Sequence, residues 1–159
     1  MKAVVQRVSR AEVEVEGRVA ASVERGLLVL VGIEAADEAA QVAWLADKVA
    51  NLRIFEDAGG KMNLSVKGVG GAVLLVPNFT VAGDARKGRR PSFDNAMRPE
   101  SAEPMFDELA RAVAAAGVAV QKGVFRAHMV VSLVNDGPVT ILLDSGAGRG
   151  GDTVRAREA

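Results

Sequence analysis

The sequence predicts an α/β protein in which two helices accompany largely antiparallel β-strands, and three observations carry that reading. Residues 11–16 alternate strictly, Val13 and Val15 against Glu12, Glu14 and Glu16, the period-2 pattern of a strand with one buried and one wet face. Two continuous apolar runs, 26–33 and 72–76, have the length and the Val/Leu content of strands covered on both faces. Two longer segments, one after Asp37 and one after Pro99, repeat their apolar residues at helical spacing instead. With 159 residues the chain is long enough to bury a substantial core as one domain.

Taken in order, residues 2–9 form a valine-rich strand and residues 11–16 the alternating one. Gly17 turns the chain so that residues 18–23 can return as a hairpin partner. The apolar run 26–33 is a central strand. Asp37 is a plausible N-cap for a first helix, where carboxylates suit the positive end of the helix dipole. Val42, Leu45, Ala46 and Val49 give that helix its apolar stripe and it ends near Asn51; Trp44, the single tryptophan, reads as core or interface. Residues 53–55 form a short strand, 57–60 a turn, and 61–66 its partner. Residues 72–76 form another buried strand, ended by Pro77, which has no amide to donate to a ladder. Asn78, Phe79 and Thr80 then stand at a strand terminus with main-chain amides open to something else. A long polar connection, 82–98, carries Arg86, Lys87, Arg89 and Arg90, and loops of that length often serve function. The second helix starts at Pro99, with Pro104 also required in the first turn, and stops at Gly117. Strands follow at 118–125, 128–135 and 139–143. The domain spans residues 1–145, and the tail 146–159, which lacks apolar anchors, is predicted to be disordered.

Composition narrows the function. Lys plus Arg and Asp plus Glu both number 20, so attraction to an anionic partner must come from local patches. The absence of cysteine excludes disulfides, thiolate catalysis and thiolate-bound metal. One histidine and no clustered carboxylates give no metal site, and no cofactor is implied. His128 alone cannot make a triad without placed partners and reads as a surface or core-edge residue. No glycine-rich nucleotide fingerprint is present. An early charge at Lys2 and the lack of a long apolar run argue against a signal peptide and a membrane span, the pattern of a soluble, cytoplasmic protein.

The centre of the sequence is Asn135-Asp136-Gly137-Pro138-Val139-Thr140. A glycine that admits unusual φ and a proline that admits a cis bond read, by themselves, as a tight turn between two strands. The string also resembles the Asn-x-Gly-Pro-[Val/Phe]-Thr signature of the D-aminoacyl-tRNA deacylases. Pro77-Asn78-Phe79-Thr80-Val81 resembles that family's second signature, Ser-Gln-Phe-Thr-[Leu/Val], with Pro for Ser and Asn for Gln. Shorter matches run collinearly through Val5-Gln6-Arg7-Val8, Gly26–Leu30, Arg53–Phe55, Lys61–Leu64 and Arg90–Phe93.

The resemblance implies three layers, helices over a sheet over a second sheet, assembled as a homodimer. It implies hydrolysis of the ester joining a D-amino acid to the 3′ end of tRNA, a chiral proofreading step assisted by the ribose 2′-hydroxyl, with no membrane partner and no metal. Asn78, Phe79 and Thr80 would form the catalytic wall, their amides facing the ester carbonyl. Gly137 and Pro138 would form the facing wall, supplied by the partner subunit and excluding L-residues, with Arg7 holding that loop by a bond to its carbonyl. Pro77, Met62 and Phe93 would line the substrate pocket, and Arg86, Lys87, Arg89 and Arg90 would meet tRNA phosphates. Because Pro77 and Asn78 depart from the signature, an RNA-binding or regulatory homodimer without activity stands beside this reading, and a small-ligand-binding protein using the same glycine-lined cleft is a third.

Overall fold

The structure, a computed structural model, describes residues 1–146. Strands β1 (Lys2–Val15), β2 (Arg18–Val23) and β3 (Gly26–Gly32) lead into helix α1 (Ala39–Asn51). Strands β4 (Phe55–Glu56) and β5 (Met62–Leu64) form a two-stranded hairpin. Strand β6 (Ala72–Pro77), helix α2 (Pro99–Ala115), β7 (Ala119–Lys122) and β8 (Val130–Asp144) complete the chain. The main sheet has the order β2-β1-β3-β6-β7, with β8 on the other edge of β1. The pairings of β1 with β2, β3 and β8 are antiparallel, whereas β3–β6 and β6–β7 are parallel. Parallel neighbours need a crossover, and α1 and α2 lie in those two connections.

β1 explains how one sheet serves two layers. Its first half alternates Ala3 and Val5 into the core under the helices, together with Val29, Val31, Val73 and Leu75. Its register against β8 then shifts between Gln6 and Val8 and again between Val8 and Arg10. After those irregularities Val8, Ala11 and Val13 face a second core with Leu28, Leu74, Val76 and Ala21. A bulge re-aims side chains because the strand period is two. The second β layer implied by the resemblance is therefore, among the described residues, part of the same six-stranded sheet. β2 and the first part of β8 cover the face that the helices do not.

Several predicted boundaries move. The N-cap of α1 is Glu38, in a capping box with Gln41, while Asp37 is buried and bonds the Met1 ammonium and the Glu34 amide. Pro104 lies inside α2, beyond the first turn. Residues 123–129 form a loop in place of the predicted strand ends. Above all, the chain does not reverse at Asn135–Pro138: β8 continues beyond it as one 15-residue strand, and residues 136–139 bulge out of its ladder with β1 between the pairs Val8–Asn135 and Gln6–Thr140. The predicted tail lies, apart from Gly146, outside the described residues. Among the described residues no helix is long and apolar enough to cross a membrane.

Candidate functional site

A cavity of about 670 Å³ lies beyond the carboxyl ends of the parallel strands β3 and β6, the position at which open sheets with parallel strands offer ligands a crevice. Its wall begins where β6 stops. Pro77 closes the strand, and the Asn78 amide donates back to the Val31 carbonyl at 2.8 Å. Asn78 is extended, and its Oδ1 accepts from the Thr80 amide at 3.1 Å and from the Thr80 hydroxyl, capping a single 3₁₀ turn, Phe79–Ala82. The Val81 amide bonds the Asn78 carbonyl and the Gly83 amide bonds that of Thr80. Of the three amides predicted to be open, only that of Phe79 has no acceptor among the described residues. The Phe79 ring, 60% exposed, meets Phe93 edge-on with centroids 5.1 Å apart.

Pro77, Asn78, Phe79 and Phe93 all line this cavity, whereas Thr80 does not. The Thr80 hydroxyl is engaged by Asn78, and among the described residues no histidine or carboxylate contacts it. Met62 sits exposed on β5 and does not reach the cavity in this chain.

The second motif is built around β1. The Gly137–Pro138 peptide bond is cis. The Asn135 side chain spans the loop, its Nδ2 donating to the Val139 carbonyl at 3.0 Å and its Oδ1 accepting from the Val139 amide at 2.8 Å. That bidentate bracket gives the first residue of the signature a structural job. Arg7, buried, comes from β1: its Nε donates to the Asp136 carbonyl at 2.8 Å and its Nη1 to the Ile54 carbonyl at 2.7 Å. Thr140 accepts from Gln6 at 3.2 Å. Gly137 has no room for a side chain, since a Cβ there would lie 2.4 Å from the Val139 amide nitrogen.

Gly137 and Pro138 are exposed and do not line the cavity of their own chain. They sit on a strand whose outer edge is unpaired among the described residues. That strand exposes Val130, Leu133, Val134 and Leu142, the last by 77%. A long, apolar, unpaired edge is a template for another strand.

In the basic loop, Arg86 is tied to Asp84. Its Nε lies 2.9 and 3.0 Å from the two carboxylate oxygens, which holds the Asp84 carboxyl well below the usual range and raises Arg86. Lys87, Arg89 and Arg90 are exposed and none of the four basic residues lines the Phe79 cavity. Three basic residues that the sequence left without a role do line it: Arg98, Arg126 and His128. They are separated by up to 30 positions, so only the fold brings them together. Among the described residues no group of three or more His, Asp or Glu side chains could hold a metal ion.

Residues 4–144 match the family described as D-Tyr-tRNA(Tyr) deacylase. A Koribacter versatilis protein named D-aminoacyl-tRNA deacylase is 58% identical over 145 residues, covering 91% of this chain and 97% of its own. A protein of the same name from Anaeromyxobacter dehalogenans is 60% identical with the same coverage. Among solved structures, a c-Myc DNA Unwinding Element Binding Protein superposes with a TM-score of 0.86 at 39% identity, covering 91% of this chain and 99% of its own. A probable eukaryotic D-amino acid tRNA deacylase superposes with a TM-score of 0.75, 89% and 97% covered, and at 16% identity it is a likeness of fold alone.

Proposed function

From the premise that the chain belongs to the D-Tyr-tRNA(Tyr) deacylase family, we propose that it hydrolyses D-aminoacyl-tRNA to free D-amino acid and tRNA by main-chain chemistry. The observation that carries the mechanism is the Phe79 amide, without an acceptor at the rim of an aromatic cavity while its neighbours are bonded. Water adds to the ester carbonyl, whose oxygen gains negative charge and accepts from the Phe79 N–H. The carbon–oxygen bond to the ribose then breaks, and the ribose 3′-oxygen leaves with a proton, assisted by the adjacent 2′-hydroxyl. One such donor contributes about 2.7–4 kcal/mol to transition-state stabilisation. Asn78 fixes the turn that aims it; the shorter amide, in place of the family's Gln, caps Thr80 directly. Pro77 removes a donor that the mechanism does not use.

The facing wall comes from a second copy of the chain. Gly137 and Pro138 protrude from the apolar edge of β8, and a homodimer paired along that edge would present them to the partner's cavity. Their carbonyl oxygens would stand against the substrate's α-carbon, and Arg7 and Asn135 keep them from retreating. Such a wall rejects an L side chain by collision and has no means of demanding a D side chain. Glycyl-tRNA is therefore also a substrate. Single-turnover deacylation of D-Ala-, Gly- and L-Ala-tRNA tests this: the first two lose their ester and the third keeps it. Resistance of Gly-tRNA equal to that of L-Ala-tRNA would remove the filter role of Gly137 and Pro138. Binding of all three without turnover would instead favour an inactive RNA-binding dimer.

A further inference from the structure

We propose that Arg98 and Arg126, with His128 beside them as a hydrogen-bond donor, form a basic rim that receives the phosphodiester leading into the terminal nucleotide of the substrate; this rests on the tRNA-ester reading above. Arg98 comes from the residue that precedes α2, and Arg126 and His128 from the loop between β7 and β8. All three line the cavity that also contains Phe79, Phe93, Phe125 and Met129. A ligand matching that lining has a flat apolar face and an anion beside it, which is the chemistry of a nucleotide rather than of a free amino acid.

The three side chains are available. Among the described residues the side chains of Arg98 and His128 contact no carboxylate, and Arg126 has only Glu100, at 3.8 Å and exposed on both sides. The loop that carries two of them is held in place. The Gly123 amide bonds the Leu75 carbonyl at 2.8 Å, Ala127 closes a turn on Val124, and Phe125 packs against Phe106 with centroids 6.3 Å apart. Arg126 itself has a φ of +61°, a left-handed conformation that a residue with a side chain adopts at a cost. The basic loop 86–90, in contrast, gives no residue to this cavity, and Arg86 is neutralised by Asp84. Recognition of the 3′ strand by this rim would place the ester-bearing nucleotide before any contact is made further along the tRNA.

The test compares two D-tyrosyl esters, one of adenosine and one of the dinucleotide CpA, which adds a single phosphodiester. In the wild-type protein kcat/KM for the CpA ester should exceed that for the adenosine ester by about tenfold or more. Arg98→Ala/Arg126→Ala should bring that advantage close to one and make the log–log salt dependence for the CpA ester shallower by about one unit. His128→Gln should lower the advantage by a smaller factor. Arg111→Ala, which removes an exposed cation elsewhere on α2, should preserve it and controls for overall charge. A double variant that keeps the full advantage, or a wild-type protein that cleaves both esters equally well, overturns the proposal. So does a double variant whose rates fall alike on both esters with the advantage intact. A wild-type protein that deacylates D-Tyr-tRNA but cleaves neither small ester also overturns the proposal, whereas a protein that leaves D-Tyr-tRNA intact as well removes the deacylase reading itself.

Discussion

Arg7 offers the sharpest test of how the proposed Gly137–Pro138 wall is held. Its guanidinium makes two hydrogen bonds to main-chain carbonyls, Asp136 at 2.8 Å and Ile54 at 2.7 Å, and the residue is only 6% exposed. Charge-assisted bonds of this kind contribute roughly 1.5–3 kcal/mol each, so we predict that Arg7→Ala costs about 3–5 kcal/mol of folding stability. The same guanidinium also lies 3.4 Å from the Asp136 carboxylate, but that carboxylate is half exposed. An exposed pair contributes about 1 kcal/mol or less. Asp136→Ala should therefore cost little, because the bond to the main chain survives the loss of the side chain. Arg7→Lys keeps the charge yet lacks the fork that reaches two carbonyls at once, and should fall between the two. Urea unfolding midpoints give the stabilities, and single-turnover deacylation of D-Tyr-tRNA reports whether the wall still stands. Equal destabilisation by Asp136→Ala and Arg7→Ala would refute the reasoning, since the carboxylate and not the backbone would then be the anchor.

Three further outcomes follow from the same geometry. Thr80→Ala should keep single-turnover activity within about tenfold, or 1.4 kcal/mol of barrier, because the hydroxyl is bonded to Asn78; a drop of several orders of magnitude with the fold intact would make that hydroxyl the nucleophile. Leu142→Glu, on the exposed edge of β8, should shift the protein toward monomer in analytical ultracentrifugation and abolish deacylation together. A monomer with full activity would sink the two-subunit site. Replacing Arg89 and Arg90 with alanine should weaken tRNA binding and flatten its salt dependence if that loop meets phosphates, and an unchanged titration would remove the loop from the RNA path.

The sequence revealed elements best where period and composition agreed. Val13 and Val15 against their glutamates became part of β1, and the runs at 26–33 and 72–76 became the largely buried strands Gly26–Gly32 and Ala72–Pro77. Asn135–Pro138 misled because turn-forming residues usually reverse a chain, whereas here Asn135 brackets the irregularity and β1 pairs on both sides of it. Asp37 looked like a cap because local rules see only neighbours; its actual partners are the Met1 ammonium and the Glu34 amide. The two signatures placed Phe79, Asn78 and Gly137 in view from the start. Which of three adjacent amides stays free was hidden, since it depends on where one asparagine oxygen folds back. The Arg98, Arg126 and His128 grouping was hidden for a different reason: no short-range pattern links residues on two separate connections.

The pairing of the first strand with the last also sets an order of events during synthesis. Lys2 lies opposite Asp144, and Gln6 opposite Thr140. Ribosomes deliver residues one after another at roughly 5–20 per second, and local structure can form as they emerge. β3 and α1 can dock early, but one edge of β1 must wait for almost the entire chain. Contacts of such long sequence separation form slowly as well. The loop bearing Gly137 and Pro138 is thus made late and fixed only when β8 closes on β1, so a nascent or prematurely terminated chain carries the Phe79 half of the proposed site without the proposed Gly137–Pro138 wall.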